Sequence, residues 1–189
     1  MVQHIWLLAG YAGSGKDTTA QMLQHILGNA AIGSFAGAVK DEVAKLYGIE
    51  RSVLDTQEGK ASLLPDRNIT VRSLLIEHAE GEKERTGDSA IWAQRIQPPP
   101  TIHWILSDWR FLEELLHLRF RFPSAVIHTL RIVRPDVQPL STYTEHALDT
   151  FQFDCTIDNS GSLLYLSQQL FDIYIQLNAI SKSTECRQE

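Results

Sequence analysis

An α/β fold, with a parallel sheet of about five strands and helices on both faces, is predicted by three observations. Short apolar runs alternate along the chain with segments of helical period. The first of these runs, Ile5–Ala9, leads straight into a glycine loop that opens a helix. Pro98–Pro100 stop a helical region just before the next apolar run, Ile102–Ser107.

The elements follow in order. Ile5–Ala9 reads as a buried strand, and the helix after the glycine loop runs from about Lys16 to Leu27. A short strand near Ala31–Phe35 precedes a helix over Ala38–Tyr47, where Val39, Val43, Leu46 and Tyr47 recur at helical spacing. Residues 48–68, which include Gly59 and Pro65, are expected to form a mobile connection with room for one short helix. Val71, Leu74, Leu75 and His78 mark another amphipathic helix, and Asp88 is a candidate cap for the next, which carries Ile91, Trp92 and Ile96. Ile102–Ser107 is the third strand, ending at Asp108, and a helix follows from about Phe111 to Phe120. Ala125–Val133 is the fourth strand and Cys155–Asp158 the fifth, with a flexible segment opening at Arg134–Pro139. Leu163–Leu177 forms the last helix, and the polar tail Ser181–Glu189 is expected to fray. No repeat, low-complexity tract or linker divides the chain, so residues 1–189 read as one domain.

Composition narrows the function classes. The chain has 189 residues, 43% of them hydrophobic, which is enough to bury a core without disulfides or structural metals. Seventeen Lys and Arg against 23 Asp and Glu give a net charge of −6, which argues against non-specific binding of nucleic acid. Any polyanion must then be met by a local cluster of cations. Two cysteines, Cys155 and Cys186, exclude a disulfide framework and fit a reducing, cytoplasmic compartment. The longest apolar runs fall far short of the ~18 residues that span a bilayer, so no membrane partner is expected.

Gly10-Tyr11-Ala12-Gly13-Ser14-Gly15-Lys16 fits the pattern G-x-x-x-x-G-K. A backbone that curls around phosphates must turn its N–H groups inward, and glycine tolerates the torsions and the close approach this needs. Lys16 is expected to neutralise the β- and γ-phosphates of ATP, beside the positive end of the helix it begins. The next residue is Asp17 in place of the Ser or Thr that usually ligates magnesium, and Thr18 follows. Asp17 is either an outer-shell magnesium contact or an acidic residue favourable to the helix dipole.

Transfer of a phosphoryl group to a phosphate monoester needs no general base, because the monoester has a second pKa of about 6 and is already largely dianionic at neutral pH. The seven histidines form no H-E-x-x-H or similar group, and His103 and His128, which lie in strands, read as satisfied core residues. What such a reaction does require is positive charge where two polyanions meet. The candidates stand at or beside the carboxyl ends of strands, where open α/β sheets bind ligands. Asp108 is expected to hold magnesium, partly through water, or else to cap the next helix. Arg110, two residues on, reaches the transferring phosphoryl group or the acceptor phosphate, or forms a surface ion pair. Lys40 and Arg72 are candidates for the acceptor monophosphate, with Arg67 a further one. Arg131 and Arg134 leave the fourth strand together; one is expected over the donor phosphates, the other free to pair with Glu145. Asn159 and Gly161 form the last strand-to-helix turn. Tyr47, Trp92, Trp109 and Tyr143 are either core residues or stacking partners for a base.

The collinear set of motifs resembles the bacteriophage-type deoxynucleoside monophosphate kinase family. It comprises Ser14-Gly15-Lys16-Asp17-Thr18-Thr19-Ala20, Phe35-Ala36-Gly37-Ala38-Val39-Lys40-Asp41, Val71-Arg72-Ser73-Leu74-Leu75 and Ser107-Asp108-Trp109-Arg110 with Glu113 or Glu114. Val126-Ile127-His128, Val133-Arg134-Pro135, Thr144-Glu145 and Ile157-Asp158-Asn159-Ser160-Gly161-Ser162 complete it. The resemblance implies a three-layer P-loop kinase fold with ATP and Mg2+ as cofactors and a nucleotide as the small-molecule partner. It further implies a helical acceptor region over about 36–97, a lid over about 134–147, Asn159 and Gly161 against the adenine, and Glu145 on the acceptor side. Animal-type phosphomevalonate kinases are similar in Lys16-Asp17 and Ser107-Asp108-Trp109-Arg110, and also at Leu54-Asp55-Thr56 and Gly81-Glu82-Lys83. Their basic loop residues are here Tyr11 and Ala12, and their arginine-bearing lid is here Pro135-Asp136-Val137-Gln138-Pro139-Leu140, which carries no cation. Phosphoryl transfer from ATP to a deoxynucleoside monophosphate is therefore the leading expectation. A kinase for another phosphorylated acceptor and a nucleotide-binding switch are the alternatives.

Overall fold

A computed structural model describes residues 2–64 and 66–185, with side chains through residue 176. Pro65, Cys186 and the last residues of the expected frayed tail lie outside the described residues. In chain order the elements are β1 (His4–Ala9), α1 (Lys16–Leu27), β2 (Ala30–Gly33), α2 (Phe35–Tyr47), α3 (Gln57–Ala61), β3 (Leu63–Leu64), β4 (Ile69–Thr70) and α4 (Val71–Thr86). They continue with α5 (Ile91–Arg95), β5 (His103–Leu106), α6 (Leu112–Arg121), β6 (Val126–Val133), α7 (Tyr143–His146), β7 (Cys155–Asp158) and α8 (Leu163–Glu185).

Five strands pair in parallel in the order β2-β5-β1-β6-β7, the three-layer α/β architecture expected from the alternation of apolar runs and helices. β1 is central, with Trp6 beside Ile105 on one flank and His128 on the other. On one face Trp6, Leu8, Ile105, Leu130, Ile132 and Ile157 form a continuous core with Ala20, Leu23 and Leu27 of α1 and Leu166 and Leu170 of α8. Ile5, Leu7 and Leu106, which point to the other face, are equally inaccessible to solvent, so the sheet is covered on both sides.

By contact density the chain forms two compact units. The first comprises residues 1–33, 98–112 and 122–189, and the second residues 34–97 and 113–121. The second unit is an excursion from the first rather than a sequential neighbour, so no linker composition marks it. It contains α2, the segment of α3 with the β3–β4 hairpin, α4, α5 and most of α6. The connection over residues 48–68 is more structured than expected, because Thr56 caps α3 by accepting from the Gly59 N–H and Leu63–Leu64 pairs with Ile69–Thr70.

Other boundaries differ in detail. The second helix starts at Phe35, three residues before Ala38, immediately after Ser34. The last helix continues to Glu185, so Ser181–Glu185 is helical where fraying was expected. Asp88 accepts from the Ala90 N–H just ahead of α5 (2.8 Å), close to its expected capping place. Trp92 and Trp109 are core residues, Trp109 packing against Phe151 and Phe153, whereas Tyr143 is exposed. No helix among the described residues is long and apolar enough to cross a membrane.

Candidate functional site

The sheet delivers its central strand directly into the glycine loop. Gly10, Gly13 and Gly15 take φ values of 149°, 83° and 97°, a region that side-chain-bearing residues rarely enter. At Gly10 a Cβ would collide with the Ile132 carbonyl oxygen, and at Gly15 with the amide of Asn159. The loop is therefore closed by its surroundings as well as by its own torsions. Lys16 begins α1 and folds back over the loop, its Nζ donating to the carbonyls of Gly10 (2.7 Å) and Tyr11 (2.8 Å). Ser14 is buried, and its hydroxyl has no partner among the described residues.

Charge converges on Lys16. Partial burial pulls its pKa below the ordinary lysine value and the nearby Arg110 adds to that, while Glu145, Asp17 and Asp108 oppose it. Ser107, at the carboxyl end of β5, donates its hydroxyl to the Asp17 carboxylate (3.1 Å). Asp17 and Asp108 thus belong to one acidic neighbourhood beside the loop, with Thr18 exposed one residue further along α1. No group of three or more His, Cys, Asp or Glu among the described residues is arranged to hold a metal alone. That donor set suits magnesium, which binds through one or two carboxylates plus phosphate oxygens and water.

Glu145, from α7, is bound from two sides: Oε2 accepts from the Ala12 N–H (2.8 Å) and Oε1 from Arg110 Nη1 (2.8 Å). Burial alone would raise its pKa, but the Ala12 N–H and Arg110 outweigh that and hold the carboxyl below its ordinary value. Arg131 does not take this partner, and neither does Arg134. Arg131 lies within β6, opposite Ala9 and Thr156. Its guanidinium donates to Asp149 (2.7 Å) and the Leu148 carbonyl (3.2 Å) and lies over the Tyr11 ring at 5.4 Å. Asp149 also accepts from the Tyr11 hydroxyl (2.9 Å) and bonds His146 (2.7 Å). Desolvation is outweighed by Arg131, His146 and Tyr11, so its carboxyl falls to about 2. Within the expected lid, Glu145 is thus fastened to the loop.

Asn159 donates from Nδ2 to the Ser14 carbonyl (2.8 Å), and its backbone N–H donates to Val133 (2.8 Å). Gly161 stands against the Tyr165 ring. Beside the loop a cavity of about 310 Å³ is lined by Tyr11, Ser14, Arg131, Val133, Arg134 and Val137 among others. Arg134 is exposed at its edge, where a turn bonds the Val137 N–H to the Arg134 carbonyl (3.1 Å).

The remaining cationic candidates lie in the second unit. Lys40 pairs with Asp55 (2.9 Å), and Arg72 donates to Gln57 Oε1 (2.6 Å). Asp55 and Gln57 are two residues apart, so Lys40 of α2 and Arg72 of α4 meet on one short segment. Arg67 stands elsewhere, over the ring of Tyr47 at 4.6 Å in a cavity of about 220 Å³ with His78 and Glu77. Tyr47 is seven residues beyond Lys40 on α2, about 10 Å along the helix.

Asp149 carried no sequence signal, and the partners of Ser107 and Asn159 were not legible from the motifs that contain them. Asp149 meets Tyr11 across 138 residues of chain, and Ser107 meets Asp17 across 90. The bond from Asn159 to the loop links residues 145 apart, and the turn sequence gives no hint of its direction.

No family model matches the chain, and no curated protein matches it. Among solved structures it is similar to shikimate kinase from Aquifex aeolicus, with 16% identity, a TM-score of 0.46, and 94% of this chain and 99% of that one covered. It is also similar to the APS kinase of Mycobacterium tuberculosis in complex with AMPPNP and APS, with 11% identity, a TM-score of 0.43 and coverage of 94% and 98%. A sugar kinase from Janibacter gives 13% identity, a TM-score of 0.39 and coverage of 93% and 94%.

Proposed function

We propose that this chain is a cytoplasmic, magnesium-dependent phosphotransferase that passes the γ-phosphoryl group of ATP to a deoxynucleoside monophosphate. The observation that carries the reading is the closed glycine loop with Lys16, Arg110 and two carboxylates, Asp17 and Asp108, at its mouth. A triphosphate suits this loop: three glycines take the positive-φ torsions that its tight curl needs, and the orphaned Ser14 hydroxyl offers a buried hydrogen bond.

The donor nucleoside belongs in the 310 Å³ cavity beside the loop, with Arg134 at its rim and the Asn159–Gly161 turn bracing the loop behind it. Lys16 exchanges the carbonyls of Gly10 and Tyr11 for phosphate oxygens, and Arg110 carries charge toward the transferring group. Asp108, Asp17 and Thr18 would hold magnesium, partly through water, and the ion would supply charge neutralisation at the triphosphate. The bond from the γ-phosphorus to the β–γ bridging oxygen breaks as an acceptor phosphate oxygen bonds to that phosphorus. The products are ADP and the nucleoside diphosphate. Because the acceptor is already dianionic, no residue has to remove a proton. Lys40 and Arg72 of the second unit are assigned to the acceptor phosphate, with Arg67 further off.

The deoxynucleotide acceptor rests on the motif resemblance. The cation-free segment Pro135–Leu140 favours it over phosphomevalonate, whose kinases carry arginine there. The test is an ADP-release assay with deoxynucleoside monophosphates, ribonucleoside monophosphates and phosphomevalonate. Turnover with a deoxynucleotide supports the reading, turnover with phosphomevalonate alone replaces the acceptor, and turnover with none leaves a nucleotide-binding switch.

A further inference from the structure

Resting on the phosphotransfer reading, we propose that Glu145 is a positioning residue of the transfer site. It fixes the Arg110 guanidinium and the Ala12 backbone in one geometry and does not itself touch the acceptor. The family resemblance places Glu145 on the acceptor side, and three observations move it.

First, both carboxylate oxygens are already engaged, one by the loop and one by Arg110. Second, the side chain is 2% exposed while that of Arg110 is 38% exposed, so the arginine presents a face outward and the glutamate does not. Third, a carboxylate turned toward a dianionic phosphate would repel it, whereas one placed behind an arginine orients that cation without meeting the ligand.

The same short segment grips the neighbouring loop residue. Asp149, four residues on, holds the Tyr11 hydroxyl and is itself backed by Arg131. Tyr11 and Ala12 are therefore both tied to residues 145–149, each through a carboxylate that also binds an arginine. The Tyr11–Ala12 half of the loop is held by these two carboxylates, while the Ser14 half is held by Asn159.

The proposal is tested by a double-mutant cycle on the full-length protein, using E145A, R110A and the pair, with E145Q as the conservative variant. Transfer to a deoxynucleoside monophosphate is followed as kcat and KM, and ATP affinity by titration calorimetry. A positioning role predicts that E145A lowers kcat about 30- to 100-fold, with acceptor KM changed less than threefold. It also predicts that E145A costs little more once Arg110 is gone, and that E145Q, whose single amide oxygen can still accept from one of Ala12 and Arg110, recovers part of the rate. A rise in acceptor KM with kcat preserved, or multiplicative losses in the double variant, overturns it. If the wild-type protein transfers to no acceptor, the phosphotransfer reading fails by itself. The calorimetric cycle then decides: non-additive losses of ATP affinity uphold the coupling of Glu145 to Arg110, and additive losses or none refute it. Should E145A fail to fold, the same comparisons are made with E145Q, for which a kcat loss of about threefold to tenfold, coupled to R110A, is expected and an additive loss is contrary.

Discussion

Asn159 reaches across from the turn after β7 and donates to the Ser14 carbonyl at 2.8 Å, so the last strand of the sheet braces the loop that follows the first. Its amide nitrogen also occupies the space that a Cβ on Gly15 would need. One side chain thus supports the loop and makes glycine obligatory at its neighbour.

The first prediction follows from this contact. Asn159→Ala removes one hydrogen bond of about 1 kcal/mol, so ATP affinity measured by calorimetry should fall about threefold to tenfold, with the fold retained. Gly15→Ala should lose far more, because the new methyl meets both the Asn159 amide and a backbone held at φ 97°. Unchanged ATP binding in Gly15→Ala would show that the loop is not held as described.

Lys16→Ala removes a cation from the loop but leaves the sheet and its core untouched. Its kcat for any acceptor should fall by about two to three orders of magnitude, in the range for loss of a charge-stabilising donor. The midpoint of urea unfolding should barely move. A variant that kept near-normal turnover would remove Lys16 from the mechanism.

In the second unit Lys40 and Arg72 converge on Asp55 and Gln57. Lys40→Ala and Arg72→Ala should each raise the acceptor KM about tenfold or more and leave ATP affinity unaltered. Equal effects on donor and acceptor would instead mean that these cations stabilise the unit without meeting a ligand.

A fourth prediction concerns acid. His4, His103 and His128 stack at the amino-terminal end of the sheet, with His4 Nδ1 at 3.2 Å from His128 Nε2 and Trp6 Nε1 donating to His103 (3.3 Å). Burial first, and then the neighbouring imidazoles, push His103 and His128 down to about 4. The unfolded chain binds these protons near pH 6.5 and the folded chain only near 4, so the stabilisation is complete above pH 6.5. It disappears as the pH falls from 6.5 toward 4. For the buried His128 this amounts to as much as about 3 kcal/mol. Asp149, with its carboxyl near 2, adds its loss only below about pH 4, so the two windows separate. Urea unfolding at stepwise pH should show a first decline from 6.5 to 4 that is reduced in His128→Leu. A flat profile over that window would contradict the stacked arrangement.

The fold was legible because its signals are local. Apolar runs such as Ile5–Ala9 and the residues Val39 and Val43 carry periods that are read within ten residues, and the glycine loop announces its own torsions. Residues 48–68 were less legible because their order comes from Thr56 capping a single turn and from a two-residue hairpin, both too short for a periodic signal. Within the site, Lys16, Asp108 and Arg110 were legible as charges beside strand ends. Their partners were not. Glu145 pairs with Arg110 while Arg131 pairs with Asp149, a choice of partners across the fold that no spacing encodes.

The central claim is that the charges around the glycine loop transfer a phosphoryl group to a phosphate. Phosphorus NMR of the protein with ATP, magnesium and a deoxynucleoside monophosphate tests it without a coupling enzyme. The account predicts that resonances of ADP and a second diphosphate grow together in equal amounts, and that neither grows with Lys16→Ala. Release of inorganic phosphate with no second diphosphate, for every phosphorylated acceptor offered, would contradict it.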